Sequence, residues 1–106
     1  MTTMMNQSVL EETIRIYKLL SNSTRVRILF LLNQREMSVS EMTETLSLEQ
    51  SNLSHQLKML REHQLITQKR VGKQMIYTLD DPHIMQLLEQ TASHAAHVVE
   101  GKKYEK

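Results

Sequence analysis

The stretch Ser38–Leu79, SVSEMTETLSLEQSNLSHQLKMLREHQLITQKRVGKQMIYTL, decides the fold. Ser38-Val39-Ser40-Glu41 has the form of a capping box, with Ser38 as N-cap and Glu41 reaching back from the third helical position. A short helix follows, with Met42 and Leu46 inward. Ser47-Leu48-Glu49 is a tight connection. From Gln50 to about His63, Leu53, Leu57 and Leu60 recur at helical spacing. Two short helices joined this closely make a helix-turn-helix. Leu65–Arg70 and Gln74–Leu79 are strand-like runs joined by Val71-Gly72-Lys73, where Gly72 supplies the permissive backbone of a hairpin turn. Helix, turn, helix and hairpin in that order predict a winged helix.

Upstream, Val9, Thr13, Ile16, Leu19 and Leu20 predict a first helix over Val9–Leu20. Ser21-Asn22-Ser23 is a break rich in N-cap residues. Val26, Ile28, Leu29, Leu31 and Leu32 then form a strongly apolar helix expected at the centre of the core. Downstream, Asp81 is the expected N-cap and Pro82 the first position of a last helix, whose stripe is Ile84, Leu87, Leu88, Thr91 and Ala95. Gly101 is expected to end it. The fold class is therefore mainly α with a small β-hairpin, a winged helix-turn-helix dimerised through its terminal helices. Residues 9–100 form one DNA-binding and dimerisation domain, between flexible ends at 1–8 and 101–106.

Composition narrows the function. A chain of 106 residues has room for one core. It has no cysteine, which excludes disulfides, thiolate metal sites and cysteine catalysis, and argues against sensing soft ions such as cadmium, lead or arsenite. No signal peptide or membrane-length segment is present, so a cytoplasmic protein with no membrane partner is expected. The net charge of +1 hides an uneven distribution. Between His55 and Lys73, Lys58, Arg61, Lys69, Arg70 and Lys73 face one acid, Glu62. Between Gln74 and Gly101 there is no Lys or Arg, while Asp80, Asp81, Glu89 and Glu100 are acidic. The first region suits a polyanion and the second a cation, although each charge cluster also fits a solvated face.

With Leu53 inward, Ser51, His55 and Lys58 point outward, and Asn52 lies beside them. These polar groups suit base edges and phosphates in a major groove. Gln50 and Ser51 open the helix, where free N–H groups suit a phosphate. Lys69, Arg70 and Lys73 on the hairpin suit the DNA backbone or a minor groove.

His83 and His94 are eleven residues apart, which is three turns plus about 20°, so they share a helical face about 16 Å apart along the axis. Bonds of about 2 Å cannot span that gap from one ion. An antiparallel copy of the helix removes the difficulty, setting Asp81 and His83 of one chain against His94 and His97 of the other. Ala92, Ala95 and Ala96 would permit close approach. Three imidazoles and a carboxylate make a tetrahedral set suited to zinc, with cobalt(II) sharing it. The bland readings are specific: Asp81 as a helix cap, His83 as a surface residue, His94 and His97 as a dimer seam. A zinc hydrolase is set aside. No general base lies between His94 and His97, and four protein ligands leave no position for water.

The runs Gln50–Leu60 and Gly72–Tyr77, with Asp81-Pro82-His83 followed by His94 and His97, resemble the ArsR/SmtB family of metal-sensing repressors, nearest in pattern to its zinc/cobalt sensors. The resemblance implies a homodimer that binds double-stranded operator DNA when metal-free and loses affinity when zinc binds, releasing efflux or storage genes. It carries DNA contact to Gln50, Ser51, Ser54 and His55, and the four metal-ligand positions to Asp81, His83, His94 and His97. The chain departs from other branches in lacking their cysteines, and in placing Pro82 between its first two ligands. A winged-helix regulator with no metal response is the alternative.

Overall fold

Asn6 sets the start of the first helix: its side chain accepts a hydrogen bond from the Val9 amide at 2.9 Å. Helix α1 therefore spans Gln7–Leu20 and begins two residues ahead of the expected Val9, so Gln7 and Ser8 are helical. The computed structural model describes residues 5–101; residues 1–4 and 102–106 of the two ends expected to be flexible lie outside it.

Asn22 caps α2 (Ser23–Gln34) in the same way, accepting from the Arg25 amide at 3.0 Å. Chain then crosses β1 (Met37–Ser38) into α3 (Val39–Leu46). The capping box forms as expected: Ser38 Oγ accepts from the Glu41 amide at 3.2 Å, and Glu41 Oε1 accepts from the Ser38 amide at 2.9 Å. After α4 (Gln50–Glu62) come β2 (Ile66–Val71), β3 (Gln74–Leu79) and α5 (Pro82–Val99).

The hairpin pairs Val71 with Gln74 and Ile66 with Leu79, leaving a two-residue turn, Gly72-Lys73. Gly72 has φ +63° while Lys73 does not enter the positive region, the sign pattern of a type II′ turn. The sheet has three strands in the order β1-β3-β2, all antiparallel, where the sequence predicts two. Met37 pairs with Tyr77 and Ser38 with Ile76. Two residues carry no periodicity, so β1 exists only because β3 offers an edge.

Ile28, Leu29, Met42, Leu53, Leu57, Leu60 and Ile66 are the fully buried centre, one contribution or more from each of α2, α3, α4 and β2. The expectation for α2 holds for Ile28, Leu29 and Leu32, whereas Val26 and Leu31 are only half-buried. The terminal helices depart further from their expected stripes. On α1 Leu19 and Leu20 are buried, Thr13 and Ile16 half-buried and Val9 exposed, while Leu10, Ile14 and Tyr17, outside the expected stripe, stand 41–53% exposed. On α5 the buried residues are Met85 and Leu88, with Ile84 and Leu87 half-buried and Thr91 and Ala95 exposed. A chain this short cannot cover both faces of its terminal helices with its own core. No helix among the described residues is long and apolar enough to cross a membrane.

Candidate functional site

Helix α4 is held by one side and open on the other. Leu53, Leu57 and Leu60 are buried, with Leu53 and Leu60 at 0% exposure. Gln50, Ser51, Asn52, Ser54, His55 and Lys58 are all exposed. At 100° per residue, Ser51, His55 and Lys58 form the middle of the open face, and Asn52 and Ser54 its two flanks. Its N-cap, Glu49, makes no side-chain capping bond. Lys69, Arg70 and Lys73 are exposed on the hairpin. Lys69 Nζ lies 3.5 Å from Glu36 Oε2, so it shares its charge with an acid ahead of β1. Gln50 and Lys73 line one cleft of about 250 Å³ with Ser38, Val39, Ser40, Gln74 and Met75. The start of α3, the start of α4 and the wing turn thus converge, and Ser40 joins a surface to which sequence reading had not assigned it.

Three devices fix α4 in place. At its C-terminus the Leu65 amide donates to Leu60 O and the Gln64 amide to Arg61 O, each at 3.0 Å. This is a Schellman motif, with Gln64 in the left-handed position at φ 61°. On its flank, Arg25 of α2 donates to Leu19 O through Nε and to Gln56 Oε1 through Nη1, both at 2.7 Å. At its C-cap, His63 Nδ1 lies 2.7 Å from Glu12 Oε2 of α1. That imidazole hydrogen bond holds the Glu12 carboxyl below its usual range. His63 was expected only as a helix-end residue.

The acid and imidazole groups of α5 fall into two separate pairs. At its start, Asp81 Oδ1 accepts from the His83 amide at 2.8 Å and lies 2.8 Å from His83 Nδ1. Asp81 is thus the N-cap expected of it, with the imidazole folded back on the same oxygen. Near its end, His94 is exposed and His97 half-buried, and with Gln90 and Ser93 they line an open cleft of about 400 Å³. Eleven residues of helical rise, about 16 Å, separate His83 from His94. Among the described residues, no three His, Cys, Asp or Glu side chains of one chain gather to hold an ion.

The family model for "Bacterial regulatory protein, arsR family" matches residues 22–68. NmtR, an HTH-type transcriptional regulator of Mycobacterium tuberculosis, is 35% identical over 74% of this chain and 66% of its own length. A cadmium resistance transcriptional regulatory protein, a CadC homologue of Staphylococcus aureus, is 31% identical over 79% of this chain and 70% of its own. This chain belongs to the ArsR family. The crystal structure of M. tuberculosis Rv0081 superposes with a TM-score of 0.81 at 34% identity, covering 91% of this chain and 97% of that one. The match spans just under two thirds of NmtR itself.

The ArsR match ends inside β2, so it covers the helix-turn-helix and stops before any of Asp81, His83, His94 and His97. Family membership therefore speaks for the fold and the α4 surface, and the α5 donors rest on their own spacing and chemistry. Within this ArsR chain the residues that sequence reading missed are Arg25, Gln56 and Glu12. Gln56 lies within the Gln50–Leu60 run but has no assigned role there, Arg25 and Glu12 lie in no motif, and their contacts span 31 to 51 positions of sequence.

Proposed function

We propose that two copies of this chain form a transcriptional repressor that grips operator DNA without metal and releases it when zinc binds at the paired α5 helices. The observation that carries the reading is the division of donors: Asp81 with His83 at one end of α5, His94 with His97 at the other, and too great a distance for one chain to close the set. An antiparallel partner supplies the missing half to each end, giving two equivalent sites related by a two-fold axis. The exposed apolar residues of α1 and the uncovered length of α5 favour the same partner, a second copy.

Three imidazoles and one carboxylate are the hard-to-borderline donor set that zinc or cobalt(II) takes in a tetrahedron. Zinc, when bound, supplies a cross-link of fixed angle. Asp81 and His83 of one chain would hold the ion together with His94 and His97 of the other, while the cap from Asp81 to the His83 amide keeps the start of α5 in place. Tying the start of one α5 to the end of another restricts how the two subunits rotate, and hence how far apart the two α4 helices sit. Those helices must enter major grooves one turn apart, about 34 Å. Coupling is reciprocal, so DNA must weaken zinc binding by the factor that zinc weakens DNA binding.

The relative named for cadmium resistance makes the choice of ion a matter for direct test. The absence of cysteine from this chain favours zinc over cadmium. The alternative, a winged-helix regulator without metal response, draws on the family match ending before α5. Fluorescence anisotropy of a labelled duplex that the chain has selected from a library separates them. Zinc should lower the affinity of the parent, and His97→Ala should bind the duplex with no zinc response. An equal response in both removes the assigned site, and no zinc binding in equilibrium dialysis favours the alternative.

A further inference from the structure

A chain of side-chain hydrogen bonds runs from the end of α1 to the DNA-facing flank of α4. The half-buried Arg25 donates from Nε to Leu19 O at 2.7 Å and from Nη1 to Gln56 Oε1 at 2.7 Å, with Met59 Sδ 3.7 Å from the same nitrogen. Gln56 Nε2 in turn donates to Asn52 Oδ1 at 3.2 Å, one helical turn nearer the N-terminus. Amide orientation is ordinarily ambiguous, but here chemistry settles it. Arginine has donors and no acceptor, so the oxygen of Gln56 must face Arg25. Its nitrogen must then face Asn52, and the Asn52 atom that meets it must be oxygen. Every polarity in the relay follows from one guanidinium.

We propose that Arg25, acting through Gln56, holds the Asn52 amide with its NH2 group toward the major groove, so that α4 reads an acceptor-only base edge. Asn52 is exposed and lies on the flank of the α4 surface. An unrestrained asparagine pairs with adenine, giving a hydrogen bond to N7 and taking one from N6. That pairing needs oxygen and nitrogen side by side at the base. Here the oxygen is drawn along the helix to Gln56, and the NH2 group meets guanine N7 and O6, or thymine O4. Arg25 and Gln56 are positioning residues and Asn52 is the reader. The assignment rests on α4 being a DNA-reading helix.

The test is selection of duplexes from a randomised 30-base-pair library by the full chain in chelator, followed by sequencing. The parent should enrich guanine or thymine at one position per half-site, and Asn52→Ala should lose the preference at that position. Gln56→Glu keeps an acceptor for Arg25 but has no hydrogen to donate. The Asn52 amide then turns its NH2 group to the new carboxylate and its oxygen outward. Preference at the same position should swing to a donor edge, adenine N6 or cytosine N4, by about tenfold, the scale of one well-placed base contact. Arg25→Met should broaden it instead. A merely structural role would lower the melting temperature and leave the preferred base alone. An unchanged base in Gln56→Glu, or adenine at the Asn52-dependent position of the parent, overturns the relay. Failure of the parent to enrich any sequence overturns the DNA-reading surface itself, which is a separate result.

Discussion

Glu12 Oε2 and His63 Nδ1 lie 2.7 Å apart, joining the first helix to the C-cap of α4 across 51 positions of sequence. The His63 hydrogen bond lowers the Glu12 pKa, with Arg15 adding to the effect through a 3.5 Å contact. A depressed carboxylate pKa contributes stability above the unfolded value, about 4.3, and loses it as pH falls through the folded value. Glu12→Gln should therefore melt below the parent at pH 7, and the gap should close as the pH is brought below about 4. A gap that persists undiminished at pH 3 would show that the carboxylate's hydrogen bond to His63 is not its source.

Gln64 occupies the left-handed position of the Schellman motif without being glycine. That backbone costs an ordinary residue roughly 1–2 kcal/mol. Gln64→Gly relieves it but adds roughly 0.4–1 kcal/mol of unfolded-chain entropy. The net should be a stabilisation of about 0.5–1 kcal/mol, read as a rise in the urea midpoint at constant slope. A fall in midpoint would mean that the Gln64 side chain contributes more than its backbone costs.

Ser38 is buried at 3% exposure, pairs with Ile76 in the sheet and caps α3. Ser38→Ala should cost about 1–2 kcal/mol, the upper part of the range for a lost N-cap, because the Glu41 amide is left without its side-chain partner. Glu41 carries the pH signature of the same box. The Ser38 backbone N–H, then Arg35 at 3.1 Å, lower its pKa, so its contribution is present above the unfolded value and fades as pH falls through the folded one. Urea melts of Glu41→Gln and parent should converge in acid and part at neutral pH.

These residues mark what a linear reading can reach. The capping box, the Leu53, Leu57 and Leu60 stripe and the Gly72 turn are local patterns, each legible within about ten residues, and all form where expected. The same holds for Asp81 as the cap of α5. Strand β1 was out of reach because its two residues acquire meaning only from Tyr77 and Ile76, nearly forty positions away. Arg25 reads as a helix-start cation until the fold brings Gln56 to it. Helix α1 escaped for another reason: Val9 of its expected stripe is exposed, as are Leu10, Ile14 and Tyr17 outside it, and nothing in one chain covers them. Periodicity reports that a face is to be buried and is silent about whose surface buries it.

That ambiguity can be turned into an assay of the α5 pairing. One variant carries Asp81→Ala and His83→Ala, and a second carries His94→Ala and His97→Ala. Each alone should bind no zinc at α5, since every two-chain site in either homodimer has lost two ligands. In a heterodimer of the two, one site collects all four substitutions and the other keeps Asp81 and His83 from the second variant with His94 and His97 from the first. Random exchange makes about half of the dimers mixed, so a mixture should recover about one quarter of the parent's zinc sites. Cobalt(II) absorption of tetrahedral type should reappear in the same proportion. If all four ligands instead came from one chain, no mixing ratio would restore any binding, and the cross-subunit site would be lost with it.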